Sequence, residues 1–340
     1  VFVPWTAPGD RVRVRINENK KTFLIAALEE ILEPSPVRIE PSCPVFGRCG
    51  GCTWQHVSYA EQVRQKDQIL RSALRNYRSS FDWEEFVSSP DFFRYRNRIQ
   101  VNKGGESVGF FARGTREIVD INDCPITESE ISSRISEIRE RENGRYEISR
   151  RVNGHIEIEQ GHRSSEAALF SQVNTKQNSA LIETVLRWAA EKDVAEIWDL
   201  YCGSGNITLP LKKAFPHVDV TGVELSADAI RLAQKDSADV HWVAKDVAHF
   251  LKQQRQSEKS LLMVLDPPRV GAEEAVVAQI GRLKPNRLIY VSCNPMTFGR
   301  DALRLKDLGL TLIRVQGFDM FPQTEHVELI GLFHRVMGRE

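Results

Sequence analysis

No stretch of about 18 apolar residues occurs anywhere in this sequence, so a membrane-spanning helix is not expected. An excess of one charge is missing too: 46 Lys and Arg balance 46 Asp and Glu. A neutral total removes the global field that would by itself draw a chain to nucleic acid, but it leaves room for a local one. Residues 92–116 hold Arg94, Arg96, Arg98, Lys103, Arg113 and Arg116 against the single acid Glu106. Cysteine is scarce, six in 340 residues. The opening "VFVPWTAPGD" shows neither the basic nor the apolar region of a secretory signal. A cytoplasmic, reducing location is therefore expected, where thiols stay free or bind metal.

What is present is a globular composition, 41% hydrophobic and 27% charged, enough for two or three domains at roughly 100–200 residues each. Residues 1–36 read as short strands, with period-2 alternation in "RVRVRI" and turn residues in "APGD". Residues 37–165 begin with a Pro-, Gly- and Cys-rich stretch. An amphipathic helix over "YAEQVRQKDQILRSALRNYR" follows, then strands around "NKGGES", a second helix over "EISSRISEIREREN", and further strands. From residue 166 to 340 strands and helices alternate, with Ser226 as a helix N-cap. That alternation predicts a parallel α/β sheet whose ligands sit at the carboxyl ends of its strands.

Cys43, Cys49 and Cys52 stand in a C-x5-C-x2-C spacing with glycines between them, and Cys124 follows in "INDCPI". Four thiolates suit zinc or an iron–sulfur cluster equally by type, and spacing does not separate the two. In "DLYCGSGNITLPL", Gly203 and Gly205 make a tight turn after the strand "EIWDLY". Glu224 ends the next strand about 20 residues on, where an acid can accept from ribose hydroxyls. The third glycine of a dinucleotide fingerprint is absent, which favours S-adenosylmethionine, a cofactor with no pyrophosphate to cradle. "VLDPPRVGA" has Arg269 where amino-group methyltransferases place a stacking aromatic, so adenine or amino methylation is the weaker alternative.

"FSQVN", "DLYCGSGN", "LDPPRVG", "VSCNP" and "DMFPQTEHVE" occur in that order. Together they resemble the RNA 5-methyluridine (uracil-C5) methyltransferase family, and the cysteine spacing resembles its iron–sulfur-containing 23S rRNA type. The resemblance implies a partial TRAM (OB-like) β-barrel over 1–36, an α+β iron–sulfur and RNA-binding domain over 37–165, and a Rossmann-like methyltransferase domain over 166–340. It implies a [4Fe-4S] cluster on Cys43, Cys49, Cys52 and Cys124, and S-adenosylmethionine held by Gln172, Tyr201, Gly203, Asn206, Glu224, Asp246 and Asp266. It makes Cys293 the nucleophile and Glu328 the base.

The chemistry accounts for those residue types. Uracil C5 is too weak a nucleophile to attack a sulfonium methyl unaided. Thiolate addition at C6 turns C5 into an enolate carbon, and a base must later take the C5 proton so that the thiolate can leave. The target base must leave its stack to be reached. The expected partner is RNA, 23S rRNA ahead of tRNA, for a monomeric enzyme. A non-catalytic RNA-binding iron–sulfur protein and a cytosine-C5 methyltransferase are the other readings. The presence of both Cys293 and Glu328 argues against the first, and the lack of a motif supplying an acid near cytosine N3 against the second.

Overall fold

A computed structural model describes residues 1–151, 153–161 and 172–336. The boundary expected between residues 165 and 166 lies outside the described residues. The chain divides into two compact units that are not contiguous in sequence. The first comprises residues 1–65, 91–162 and 321–325; the second comprises 66–90, 163–320 and 326–340.

In the first unit, the alternating strand Arg11–Asn19 pairs antiparallel with Leu24–Glu33 in one two-stranded hairpin. Residues 1–5, the start of the stretch expected as short strands, contribute only a single bridge from Phe2 to Ile25, so the sheet formed here has two strands and no barrel is closed by it. Asp10 fastens the hairpin's base, accepting from Ala7 N at 2.6 Å, Ser35 N at 2.9 Å and the Arg38 guanidinium. The Arg11–Glu33 and Arg13–Glu30 pairs across the hairpin are exposed and add little.

The same unit holds a five-stranded antiparallel sheet in the spatial order Ile118–Asp120, Ser107–Phe111, Arg98–Gly104, Gly144–Arg150, Ile156–Gln160. Period-2 alternation turns Ile99 and Val101 inward and Gln100 outward. Their core is completed by Ile131, Ile135 and Ile138 from the segment expected as one helix. That segment forms two short helices, Ser129–Ser133 and Ile135–Ile138. Ser132 is fully buried, and its hydroxyl is committed to the cysteine-bearing turn: it donates to Asp123 at 2.7 Å and accepts from Cys124 N at 2.8 Å. Residues 321–325 also belong to this unit. Gln323 and the buried Gln62 exchange two hydrogen bonds of 3.0 Å, and the Gln323 carbonyl accepts from Thr53 N and Trp54 N.

The second unit is an eight-stranded sheet. Its spatial order is His241–Ala244, Asp219–Glu224, Glu196–Leu200, Leu261–Leu265, Arg287–Ser292, Glu328–Arg335, Leu310–Phe318, Asp82–Trp83. The first five are parallel, and Leu261–Leu265 and Arg287–Ser292 are buried at every position, as strands covered on both faces must be. Glu328–Arg335 runs antiparallel to both neighbours. Strand order reverses between Glu196–Leu200 and Leu261–Leu265, which opens a crevice at their carboxyl ends. The helix Tyr59–Ala73 supplies Lys66 to this unit, where it forms a fully buried ion pair of 2.5 Å with Asp319.

Candidate active site

The turn after Leu200 lines the crevice. Tyr201, Gly203 and Gly205 all have positive φ (64°, 55° and 90°). A Cβ on Gly205 would meet the Trp242 ring at 2.9 Å and Leu209 at 3.0 Å, whereas one on Gly203 would face open space. The first glycine therefore leaves room and the second permits packing. Glu224 sits beneath this turn, accepting from Gly203 N at 3.3 Å and Ser226 N at 2.9 Å. Ser226 caps the next helix as expected.

Asn206 is locked by Asn178, the two amides exchanging bonds of 2.9 and 3.0 Å. Asn178 lies on the helix Thr175–Ala190, which begins three residues beyond half-buried Gln172. Asp246 caps the helix Val247–Gln253 through His249 N at 2.8 Å. Burial and the charges of Asp246 and Glu224, among others, raise the Tyr201 hydroxyl, so these three share one neighbourhood.

The sequence reading missed Asp199. It is 1% exposed; one carboxylate oxygen accepts from Thr208 Oγ1 at 2.5 Å and the other has no partner. Burial pushes it up to about 7, with Asp266 and Glu224 adding repulsion. Asp266 is itself pushed up to about 6 by burial. Asp199, Asp266 and Glu224 thus share one electrostatic neighbourhood at the carboxyl ends of these strands. Asp199 precedes the glycine turn by four residues, and that placement at a strand's end was the available signal.

Register brings Cys293 and Glu328 together. Ser292 pairs with Leu329 across antiparallel strands, so the next positions, Cys293 and Glu328, emerge side by side. Glu328 is 3% exposed, and burial followed by the Asp266 charge raises its carboxyl well above the usual range. Burial, then Glu328 and Asp266, push the half-buried Cys293 thiol up to about 11, while Arg269 pulls it down.

The loop carrying Arg269 is pinned. Its carbonyl accepts from Asn294 Nδ2 at 3.1 Å and Thr297 Oγ1 at 3.4 Å. Fully buried Asp301 accepts from Ala272 N and Tyr290 Oη, each at 2.9 Å, and Arg300 donates to the Val270 carbonyl at 2.9 Å.

In the first unit, Cys43, Cys49, Cys52 and Cys124 line one cavity of about 90 Å³ with Gln55, Arg96 and apolar side chains. Local bonds set them there: Cys43 N donates to Gln55 Oε1 at 3.1 Å, Gly51 N to Cys49 Sγ at 3.4 Å, and Arg94 to the Cys124 carbonyl at 3.2 Å. Burial raises the thiols of Cys49 and Cys124 and pushes that of Cys52 up to about 12. Among the described residues, no three His, Cys, Asp or Glu close on a single metal ion. A zinc-bound sulfur would have to lie about 2.3 Å from the metal. Four thiols lining one cavity make the donor set that an iron–sulfur group takes. Arg96 Nε is buried there without a partner, and the Gln55 and Thr127 side chains are turned toward the Cys52 and Cys124 thiols, which also fits an acceptor filling that space.

Comparison with known proteins adds to this geometry. Residues 151–336 match the family described as tRNA (Uracil-5-)-methyltransferase, and residues 1–37 match the TRAM domain of tRNA (uracil(54)-C(5))-methyltransferase. The chain is similar to an uncharacterized RNA methyltransferase of Bdellovibrio bacteriovorus, 36% identical over 97% of this chain and 88% of that protein. It is also similar to the 23S rRNA (uracil(1939)-C(5))-methyltransferase of Vibrio parahaemolyticus, 29% identical over 98% and 91%. Its fold is similar to that of Pyrococcus abyssi tRNA (uracil-54, C5)-methyltransferase in complex with S-adenosyl-L-homocysteine, with a TM-score of 0.74 at 24% identity over 97% and 95% of the two chains.

Proposed function

The chain belongs to the tRNA (uracil-5-)-methyltransferase family, as an S-adenosylmethionine-dependent RNA uracil-C5 methyltransferase, and we propose that its chemistry runs through Cys293 and Glu328. The Cys293 thiolate adds to C6 of a flipped-out uracil, and electron density moves to C5. C5 takes the sulfonium methyl, and neutral S-adenosylhomocysteine departs. The Glu328 carboxylate removes the C5 proton; the electron pair restores the 5,6 double bond and expels the thiolate. Arg269 is the cation that stabilises that thiolate. Burial makes Glu328 a stronger base than an exposed carboxylate.

The observation that carries this reading is the pairing of Ser292 with Leu329, whose register puts Cys293 and Glu328 at neighbouring positions. Gln172, Tyr201, Gly203, Asn206, Glu224, Asp246 and Asp266 form the cofactor's surroundings in this proposal, with Asp199 added to them. Intact mass measurement of protein mixed with RNA and cofactor tests the mechanism. Glu328→Gln should accumulate a methylated protein–RNA adduct and Cys293→Ser none; an adduct in the Cys293→Ser protein would overturn the assignment.

Ribosomal RNA of the 23S class is the proposed substrate, supported by relatives that bear that name across nearly their whole length. The tRNA alternative draws on the match of residues 1–37 to a tRNA enzyme's TRAM domain. Transfer of labelled methyl to each purified RNA separates the two. Residues 1–36, 37–165 and 166–340 remain the proposed TRAM, RNA-binding and methyltransferase parts. Cys43, Cys49, Cys52 and Cys124 would hold a [4Fe-4S] cluster, which would tie the loop of residues 43–52 to the turn at Cys124.

A further inference from the structure

The cavity lined by the four cysteines has a one-sided polarity. Gln55 is 2% exposed. Its Oε1 must face the Cys43 N–H, which it accepts at 3.1 Å, so Nε2 is turned the other way. Nε2 is buried and turned toward the Cys52 thiol. Arg96 lines the same cavity, and its Nε is buried and unpartnered. Thr127 is fully buried, and its hydroxyl is turned toward the Cys124 thiol. Asp123, the carboxylate on this wall, is already taken by Arg94 at 2.7 Å and by Ser132.

Unmet donors are costly when buried. The unpartnered Arg96 Nε and the Gln55 and Thr127 donors turned toward cysteine sulfurs, with apolar walls made by Val45, Phe110 and Ile126, suit an occupant that accepts hydrogen bonds and carries negative charge. A cluster bound by four thiolates is such an occupant, since its sulfurs are all acceptors.

We propose that Gln55, Arg96 and Thr127 form the hydrogen-bond donor shell of the iron–sulfur cluster, donating to its sulfurs and favouring its reduced, more negative state. This rests on the cluster reading given above. Donors around cluster sulfurs stabilise added negative charge and so raise the reduction potential. Gln55 and Thr127 each reach a different cysteine, so each should contribute separately.

The test is a mediated redox titration of the full-length protein, reconstituted anaerobically with iron and sulfide, with iron content and visible absorption measured first. Gln55→Leu and Thr127→Val should each load a cluster whose potential is lower than in the wild type. Gln55→Glu should lower it further by placing an acidic group there. Thr127→Ser keeps the hydroxyl and should restore the wild-type potential, which a merely structural role for Thr127 would not require. Loaded variants with unchanged potentials would overturn the donor shell while leaving the cluster in place. A wild-type protein that takes up no iron and sulfide under these conditions would overturn the cluster reading itself, and the shell with it.

Discussion

The backbone carbonyl of Arg269 accepts a hydrogen bond from the side-chain amide of Asn294 at 3.1 Å. Asn294 directly follows Cys293, so the loop after one strand is tied to the turn after the next. The tie holds a cation near a thiol that burial, Glu328 and Asp266 all push up. Arg269→Gln should therefore raise the pH midpoint for alkylation of Cys293, read on the Cys293 peptide by mass spectrometry. Each unit of rise would lower the thiolate fraction near neutral pH about tenfold. Arg269→Lys should retain most of the effect. An unchanged midpoint in the Gln variant would remove Arg269 from thiolate stabilisation.

Asp199 makes stability depend on pH. An unfolded aspartate ionises near 3.9, whereas Asp199 is pushed up to about 7. Between those values the unfolded chain holds fewer protons, so stability falls as pH rises. The contribution is complete below about pH 4 and is lost by about pH 7, a change of roughly 4 kcal/mol at about 1.4 kcal/mol per unit. Asp199→Asn should flatten this slope in urea denaturation compared at about pH 5 and about pH 8. Part of the slope should survive, because Asp266 and Glu328 are shifted in the same direction. An identical slope in the variant would mean that Asp199 is not the group responsible.

The two glycines of the cofactor turn should fail differently. Gly205→Ala forces a Cβ to 2.9 Å from the Trp242 ring at φ 90°, so a loss of roughly 1–3 kcal/mol is expected, visible as a lower melting temperature. Gly203→Ala meets nothing within 4 Å but keeps φ at 55°, for roughly 1–2 kcal/mol of backbone strain. Its larger effect should be on S-adenosylmethionine affinity by calorimetry, because the added methyl occupies open space in the crevice. Equal affinity in the Gly203→Ala and wild-type proteins would place the cofactor elsewhere.

Lys66 and Asp319 should behave as a buried pair. Replacing either partner alone breaks a fully buried ion pair and should cost about 3–5 kcal/mol, whereas Lys66→Met combined with Asp319→Leu should recover most of that loss. A double-mutant cycle by urea denaturation measures the coupling. Additive single losses would show that the pair is not energetically coupled.

The sequence announced the parallel sheet well, because strands buried on both faces read as apolar runs and alternate with amphipathic helices. The Ser226 cap and the glycine turn were visible for the same local reason. Asp199 was not recognised because its role depends on being enclosed with Asp266 and Glu224, residues 67 and 25 positions away. Lys66 looked like one charge among several on an amphipathic helix; only its contact with Asp319, 253 residues on, makes it an interior group. The helix expected over residues 130–143 kept its apolar face, yet divided at Arg134, just after the turn whose Ser132 serves Cys124. Glu328 was identified by motif resemblance, but its adjacency to Cys293 follows from a strand register that no local pattern encodes.

The exchange of hydrogen bonds between Gln62 and Gln323 has a consequence for any attempt to dissect the gene. A fragment ending near residue 162 would leave out residues 321–325, which belong to the same compact unit. It would remove both bonds that Gln323 makes with the buried Gln62 amide, leaving only those to the Trp54 and Val57 carbonyls, along with the Pro322 carbonyl that accepts from Tyr95. Limited truncation from the carboxyl end should therefore injure the amino-terminal half. Supplying the missing pentapeptide segment, spliced in through a short linker, is the minimal repair for a free-standing version of that unit.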